Sequence, residues 1–497
     1  MLSPLPDSRW TYEAAAHLLN RAGFGGAPHE IDRLYKMGAR AAVASLVDYD
    51  QIPETVEAPD WAKPDPELAE RIRSYRSLPE EEKRKKQAEE RREEARRLIS
   101  LRGWWLERMA TTARPLQEKM TLFWHGHFAT SVQKVRVAYL MYQQNETFRK
   151  YALGSWRRML VAVSQDPAML IWLDNAKSTR KQPNENYARE VMELFTLGEG
   201  HYTEDDVRAA ARAFTGWTLG PDRQTFVERR GQHDDGDKTF LGASGPLTGE
   251  DIINRIVRQP QAAIYISQRL WNFFGSPEEN PRVIASMAKV LTDNNMEFKA
   301  LMRTLFLSEE FYTPQVMRQQ VKSPVQWLIG TTKMLEMKLP EAPVTTGVLN
   351  RLGQNLFAPP NVKGWDGGIS WISTNYLLNR YNMAGAIVEG NEQDLLPGGG
   401  KGLNKTVGPV KKMLKRFGIE AGNVFKPAEV DGLFTRKELA TRESLFVALQ
   451  KRFLQGELRP ERARALREFM NGMNELGPTE VRDSIRLLMS TPDYQVA

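Results

Sequence analysis

Two carboxylates one helical turn apart lie in the stretch of this 497-residue chain that gathers most of its reactive side chains. On a helix, Asn186, Glu190 and Glu193 fall within about 60° of one another. Apolar residues, including Val191 and Phe195, occupy the other side of that helix. Paired carboxylates can bind a metal ion or divide acid and base roles. An ordinary amphipathic helix with solvated Glu and Arg side chains has the same pattern, so further residues must support the chemistry.

His125 and His127 flank Gly126 near the end of a predicted helix and could add two nitrogen ligands. In a helix their side chains point about 200° apart, whereas in an extended segment they face the same way and could hold one ion. Gly126 is compatible with the extended conformation, but taken alone the motif fits two helix-end histidines that cap carbonyl groups somewhat better. Together with Glu190 and Glu193, the two histidines predict a divalent metal site that suits zinc, manganese or iron.

Five further side chains could take part in such a site. His201, between two predicted helices, and His233, in a predicted loop, could each act as an extra ligand or as a proton carrier. Arg189, Lys238 and Lys363 could steady an anionic group of the substrate. The whole set predicts a metal-dependent hydrolase that acts on a phosphate, sulfate or glycan ester.

Two other functions are compatible with these residues. Without a metal, Glu190 and Glu193 would act as acid and base on a sugar, but carboxylates one turn apart on one helix come too close to flank a glycosidic bond. Alternatively, the chain is a non-enzymic helical scaffold that binds a partner protein. Motifs such as NENYARE at residues 184–190 would then form buried hydrogen-bonded networks between helices.

Helix signals surround the carboxylates. Asn184 can cap the helix that carries them, and Gly198 can end it. Thr203 with Asp206 three residues later resembles a capping box at the start of a second helix. We therefore expect the carboxylates on one helix of a helix–loop–helix unit.

The rest of the chain has mainly helical periodicity. The exception is a pair of alternating segments, TFVER and KTFLG, on either side of Asp235–Gly236, which predicts a β-hairpin near residues 225–242. The predicted fold class is mainly α, a multi-helix bundle with one short β-hairpin.

The helices are expected to divide into four segments. A run at 80–97 has seven acidic and eight basic residues, so it predicts a solvated helix held by i,i+4 ion pairs rather than a nucleic-acid arm. The expected segments are an N-terminal helical segment at 1–50, a charged helical excursion at 65–112, a helical core with motif-bearing loops at 113–390 and a C-terminal helical bundle at 400–497.

Composition narrows the class of protein. The absence of cysteine excludes disulfides, thiolate metal sites and cysteine nucleophiles. A net charge of +7 over this length is mild and does not favour nucleic acid as a partner. No apolar run is long enough to cross a membrane, and the start of the chain lacks the features of a signal peptide. The chain as given therefore predicts a cytoplasmic location, or an exported one if a leader was removed.

Six motifs resemble those of the bacterial domain-of-unknown-function 1800 family, in the same order and over nearly the whole chain. The motifs are AHLLNRAGFGG at 16–26, FWHGHFATS at 123–131, NENYAREVMELFTLGEGHYTEDDV at 184–207, FTGW at 214–217, HDDGDKTFLG at 233–242 and PPNVKGW at 359–365. The resemblance carries no catalytic assignment. It implies a shared pathway or complex with a sulfatase-like family of exported proteins, the domain-of-unknown-function 1501 family, beside which members are encoded.

Overall fold

The computed structural model describes residues 2–75, 77–390 and 427–497 of the chain. It is 61% helical with two small two-stranded sheets, which confirms the mainly α fold. In these three ranges, no helix combines the length and the apolar content that crossing a bilayer requires. Residues 400–426 of the expected C-terminal bundle lie outside the described part of the chain.

The elements follow one another in long helical runs that are interrupted once by short strands. In the first half, the described elements are α1 (Tyr12–Ala22), α2 (Pro28–Met37), α3 (Ala39–Val47), α4 (Leu68–Ser74), α5 (Glu80–Thr111), α6 (Pro115–His127), α7 (Val132–Val135), α8 (Ala138–Lys150), α9 (Trp156–Ser164), α10 (Pro167–Trp172), α11 (Glu185–Glu193), α12 (Glu204–Ala213), β1 (Trp217–Leu219), β2 (Phe226–Glu228), β3 (Lys238–Phe240) and β4 (Ala243–Gly245). In the second half they are α13 (Gly249–Val257), α14 (Pro260–Phe274), α15 (Pro281–Asp293), α16 (Phe298–Phe306), α17 (Pro324–Met334), α18 (Ala342–Leu352), α19 (Thr374–Glu389), α20 (Arg442–Leu449), α21 (Pro460–Asn471) and α22 (Pro478–Met489).

The described helices enclose two apolar cores. The first joins α1 to α3 with most helices from α6 to α16, and Trp124 stacks on Trp156 within it at 5.3 Å between ring centroids. The second joins mainly the C-terminal half of α5 with α17 to α22. Helix α6 belongs to both, because Leu122 packs in the second core and Trp124 in the first. Each core therefore contains helices from more than one of the predicted segments.

The strands pair differently from the predicted hairpin. β1 pairs with β2 and β3 pairs with β4, both antiparallel, so the segments on either side of Asp235–Gly236 do not pair with each other. Side chains from α12 and its end hold the intervening loop instead. Arg212 donates hydrogen bonds to the Asp234 carboxylate at 2.7 and 3.0 Å, and the Thr215 hydroxyl accepts one from the Asp234 N–H at 2.8 Å. Tertiary contacts thus override the local turn signal of the Asp-Gly dipeptide.

The charged run forms the first half of α5, as predicted. Its exposed side chains make i,i+3 and i,i+4 ion pairs, such as Lys86 with Glu82 at 3.6 Å. The second half of the helix is buried by Leu101, Trp105 and Leu106. A solvated arm thus continues without a break into a core helix.

Candidate active site

The two histidines of the HGH motif lie on different sides of α6, which continues as a helix through His127. His125 meets the second core, where its Nε2 accepts a hydrogen bond of 3.0 Å from the N–H of Phe357. His127 meets the first core, and its Nε2 lies 3.0 Å from the carbonyl oxygen of Phe195. Of the two conformations considered for this segment, the helical one is present, and a helix directs the side chains of residues i and i+2 apart. As placed here, the two histidines cannot bind the same ion.

Both histidines are buried and neutral at physiological pH. Burial, aided by the charge of Arg102, lowers the pKa of His125 to about 3. Burial, aided by Arg269, likewise lowers the pKa of His127 to about 3. Among the described residues, no group of three or more His, Asp or Glu side chains could hold a metal ion. The predicted set with Glu190 therefore does not fit a metal centre, and the bound metal stays a prediction.

Helix α11 carries the carboxylates as the sequence indicates. The Asn184 side chain accepts a hydrogen bond of 2.9 Å from the N–H of Asn186, which confirms the predicted cap. The helix ends at Glu193, earlier than predicted, and Gly198 lies beyond a further turn with a left-handed φ of 82°. The N–H of Gly198 donates to the carbonyl oxygen of Met192 at 3.1 Å and closes that turn.

The two carboxylates form an acidic pair at the C-terminal end of α11. Glu190 is half-buried and, within the described residues, its side chain has no hydrogen bond or ion pair. Burial and then the nearby charge of Glu193 raise the pKa of Glu190. Glu193 accepts a hydrogen bond of 2.7 Å from the Tyr202 hydroxyl. The two carboxyl groups of the pair therefore lie in different surroundings, which suits separate acid and base roles.

The PPNVKGW loop at 359–365 lies against the end of α6 and beside this pair. A Cβ at Gly364 would come within 2.4 Å of the carbonyl oxygen of Gly126, so only glycine permits this close approach. Next to it, Lys363 is exposed, and its charge lowers the pKa of Glu190. The fold therefore brings three motifs together that are up to 240 residues apart in sequence.

Helix α14 adds two residues that sequence reasoning missed. The hydroxyl of Tyr265 donates a hydrogen bond of 2.7 Å to the carbonyl oxygen of Leu194, and burial and Glu193 raise its pKa. Arg269, one turn further on, is half-buried, and its side chain has no hydrogen bond or ion pair within the described part of the chain. No local motif marks these residues, because only the packing of α14 against the end of α11 gives them significance.

Arg189 and His201 lie near the pair but do not extend it. Arg189 donates to both oxygens of Glu204 at 2.7 and 2.8 Å, and this ion pair ties α11 to α12 and raises the Arg189 pKa. The confirmed capping box of Thr203 and Asp206 starts α12 beside it. His201 is exposed in the loop between the two helices. Arg189 is therefore already neutralised by a protein carboxylate.

His233 and Lys238 serve the loop between β2 and β3. His233 is buried, with Nδ1 2.9 Å from the carbonyl oxygen of Thr215. The Lys238 ammonium is also buried, donates to the carbonyl oxygens of Asp234 and Gly236, and has its pKa lowered by burial. These contacts explain both side chains structurally, and no described contact links them to the carboxylate pair.

Comparison with known proteins identifies the family but adds no activity. A family model described as a protein of unknown function, DUF1800, matches residues 17–496. The chain belongs to this family, as its six motifs indicated. No curated protein and no solved structure matches the chain. These comparisons therefore assign no reaction to the residues of the candidate site.

Proposed function

We propose that the chain is a hydrolase that cleaves an acyl ester, with Glu190 as general acid and Glu193 as general base. One observation carries the proposal, namely a half-buried carboxyl with a raised pKa beside a second carboxyl that accepts a hydrogen bond from a tyrosine hydroxyl. General acid–base catalysis uses two groups whose surroundings differ in this way. Within the described residues the Glu190 side chain has no hydrogen bond or ion pair, so its carboxyl group is available to a substrate.

The position of the pair favours an acyl ester over the other bonds considered. Both carboxylates lie on one face of one helix, so they cannot flank a glycosidic bond from opposite sides. A phosphate or sulfate ester brings a negative charge of its own, which two acidic side chains would repel. An acyl ester is neutral, and its hydrolysis needs proton transfers that can both occur on one side of the carbonyl group.

The proposed reaction adds one water molecule across the ester. Glu193 takes a proton from the water as its oxygen attacks the carbonyl carbon. The ammonium of Lys363, which lies close enough to affect the pKa of Glu190, stabilises the negative oxygen of the tetrahedral intermediate. The C–O bond then breaks while Glu190 donates its proton to the leaving alcohol oxygen. Solvent exchange removes the proton from Glu193 and returns one to Glu190.

Matched substitutions on α11 test this assignment. E190Q and E193Q should each lower kcat/KM for p-nitrophenyl acetate at least about 100-fold, because each removes a proton-transfer group. E185Q is the control, since Glu185 lies on the same helix with an exposed side chain and, among the described residues, pairs only with Arg189. It should leave the rate within about twofold of the wild type, since it removes no proton-transfer group.

A second measurement separates the proposal from its alternatives. Hydrolysis should continue after dialysis against EDTA, and restoration of a lost rate by zinc or manganese would instead support the metal-dependent hydrolase. A wild-type chain that hydrolyses no acyl ester would contradict the proposal and favour the non-enzymic scaffold. A sulfatase-like partner protein would then be the first candidate for binding.

A further inference from the structure

A separate cleft of about 370 Å³ opens on the other side of the PPNVKGW loop. It lies between the end of α18, the segment that follows it and the start of α19. Its lining includes three aromatic rings and three polar side chains. These are Trp365, Trp371, Tyr376, Asn350, Asn355 and Asp366. Glu190, Glu193 and Lys363 do not line this cleft.

The aromatic rings are held in fixed positions. Trp365 is half-buried, with its ring centroid 5.6 Å from that of His125. Trp371 is buried. Tyr376 lies directly against Gly353, where a Cβ would come within 2.6 Å of the ring. The left-handed φ of 91° at this position also favours glycine over residues with a side chain. Rigid rings present a flat apolar surface at little entropic cost.

Several polar groups of the cleft lack partners of their own, although the Ser370 hydroxyl, which also lines it, donates a hydrogen bond of 2.7 Å to the carbonyl oxygen of Gly367. The Oδ1 atom of Asn355 is buried and has no hydrogen bond. Within the described residues, the side chains of Asn350 and Asp366 and the indole N–H groups of Trp365 and Trp371 also make no hydrogen bond. A buried amide oxygen without a partner is costly, so a ligand that supplies a donor would stabilise it.

We infer that this cleft binds a neutral carbohydrate. A pyranose ring has an apolar C–H face, which fits an aromatic ring, and a rim of hydroxyl groups that both donate and accept hydrogen bonds. Two amides and one carboxylate supply the matching acceptors and donors. Among the described residues that line the cleft there is no Lys, Arg or His, so a phosphate or sulfate group would lack a counter-charge.

The cleft and the carboxylate pair share one short loop. Lys363, beside Glu190, and Trp365, in the cleft, are two residues apart, which is at most about 7 Å of backbone. The inference thus deepens the proposed function, on which this connection rests, by naming the substrate as an acylated carbohydrate. The binding of carbohydrate to the cleft can be measured without any turnover.

Calorimetry with neutral hexasaccharides tests the inference. The probes are cellohexaose, xylohexaose and chitohexaose, and the wild type should bind at least one of them. W365A and D366N should each weaken that binding about tenfold or more, because they remove a stacking surface and a charged acceptor. Asp366 is exposed, so D366N keeps the test valid if W365A fails to fold. W61A is the control, since Trp61 is another half-buried tryptophan that does not line the cleft.

Each outcome decides between the two proposals. The carbohydrate site would be overturned if the wild type bound none of the three hexasaccharides, or if W365A and D366N bound them as tightly as the wild type. It would also be overturned if the cleft bound choline saturably instead of the hexasaccharides, because aromatic rings also bind quaternary ammonium groups. E190Q should keep hexasaccharide binding while it loses hydrolysis of an acetylated form of the same sugar. If the wild type binds a hexasaccharide but hydrolyses no ester, the carbohydrate site is supported and the hydrolase is contradicted. If W365A and D366N hydrolyse the acetylated sugar as fast as the wild type, the hydrolase is supported and the carbohydrate site is contradicted.

Discussion

At the scale of single residues, environment decides which titratable groups are available for chemistry. His125 and Lys238 have types that suit a site, but each is buried and its hydrogen bond goes to the backbone. Glu190 has a less distinctive type, yet its carboxyl group is half-buried and has no hydrogen bond or ion pair within the described residues. Residue type and spacing therefore identified the candidate carboxylates but could not separate them from histidines that serve the packing.

The raised pKa of Glu190 predicts a pH-dependent contribution to stability. The folded chain holds this proton more tightly than the unfolded chain, in which the pKa of Glu is about 4.3. The contribution is fully present below that value and is lost as the pH rises through the raised pKa. The free energy of unfolding of the wild type, relative to E190Q, should therefore fall over this window in urea titrations at successive pH values.

Two variants check the cause of that slope. E193Q should narrow the window, because the charge of Glu193 is one of the two causes that raise the Glu190 pKa. E185Q should keep the wild-type slope, since it leaves Glu190 and Glu193 in place. A difference between wild type and E190Q that is independent of pH would show that Glu190 ionises as it does in the unfolded chain.

At the scale of elements, the signals for the starts of helices were reliable and the turn signal for strand pairing was not. The cap of α11 joins residues two positions apart and the capping box of α12 joins residues three positions apart, and both are present. The predicted hairpin at Asp235–Gly236 fails because Arg212, on a different element, binds the loop. Caps depend on the nearest backbone groups, whereas strand pairing depends on what the rest of the fold presents.

Helix α5 offers a test of how unevenly one element contributes to stability. The Glu94 carboxylate accepts a hydrogen bond of 2.6 Å from the N–H of Ala138 at the start of α8, in the manner of a helix cap. E94A should therefore lower the free energy of unfolding by about 1–2 kcal/mol. Glu82, on the same helix, has Lys86 as its one ion-pair partner within the described ranges, and both side chains are exposed, so E82A should cost less than about 0.5 kcal/mol. Equal losses in urea denaturation would show that the charged arm is packed.

At the scale of the whole molecule, α6 explains both the position of the site and the limits of the sequence. The helix contributes to both cores, so its two histidines face different surroundings, and its Gly126 receives the PPNVKGW loop. Periodicity predicted the helix and an apolar face on it. It could not show that two cores meet along α6, because that follows from contacts with residues more than 200 positions away.

Near its start, α6 also carries a buried carboxylate, Glu118, at the junction between the two cores. Glu118 is fully buried and accepts hydrogen bonds from Arg108 at 2.7 Å, from Arg149 at 2.6 and 2.9 Å and from the indole N–H of Trp105 at 2.9 Å. Burial alone would raise its pKa, but the charges of Arg149 and Arg108 outweigh burial and lower it. Glu118 thus joins α5, α6 and α8 through paired charges.

Removal of this carboxylate should destabilise the whole fold. E118A removes the fully buried carboxylate that lies between two buried guanidinium groups and leaves Arg108 paired with Glu54 and Arg149 with Glu146. The free energy of unfolding should therefore fall by roughly 3–5 kcal/mol at neutral pH. The control is E146A, because Glu146 pairs with the same Arg149 but its side chain is 40% exposed, and its loss should cost less than about 1 kcal/mol. Since the Glu118 pKa is lowered, its contribution is present above the unfolded value and is lost as the pH falls through the folded one. In urea denaturation, the difference in free energy of unfolding between E118A and E146A should therefore shrink as the pH falls. A difference that stays constant with pH would mean that packing, rather than charge, stabilises the junction.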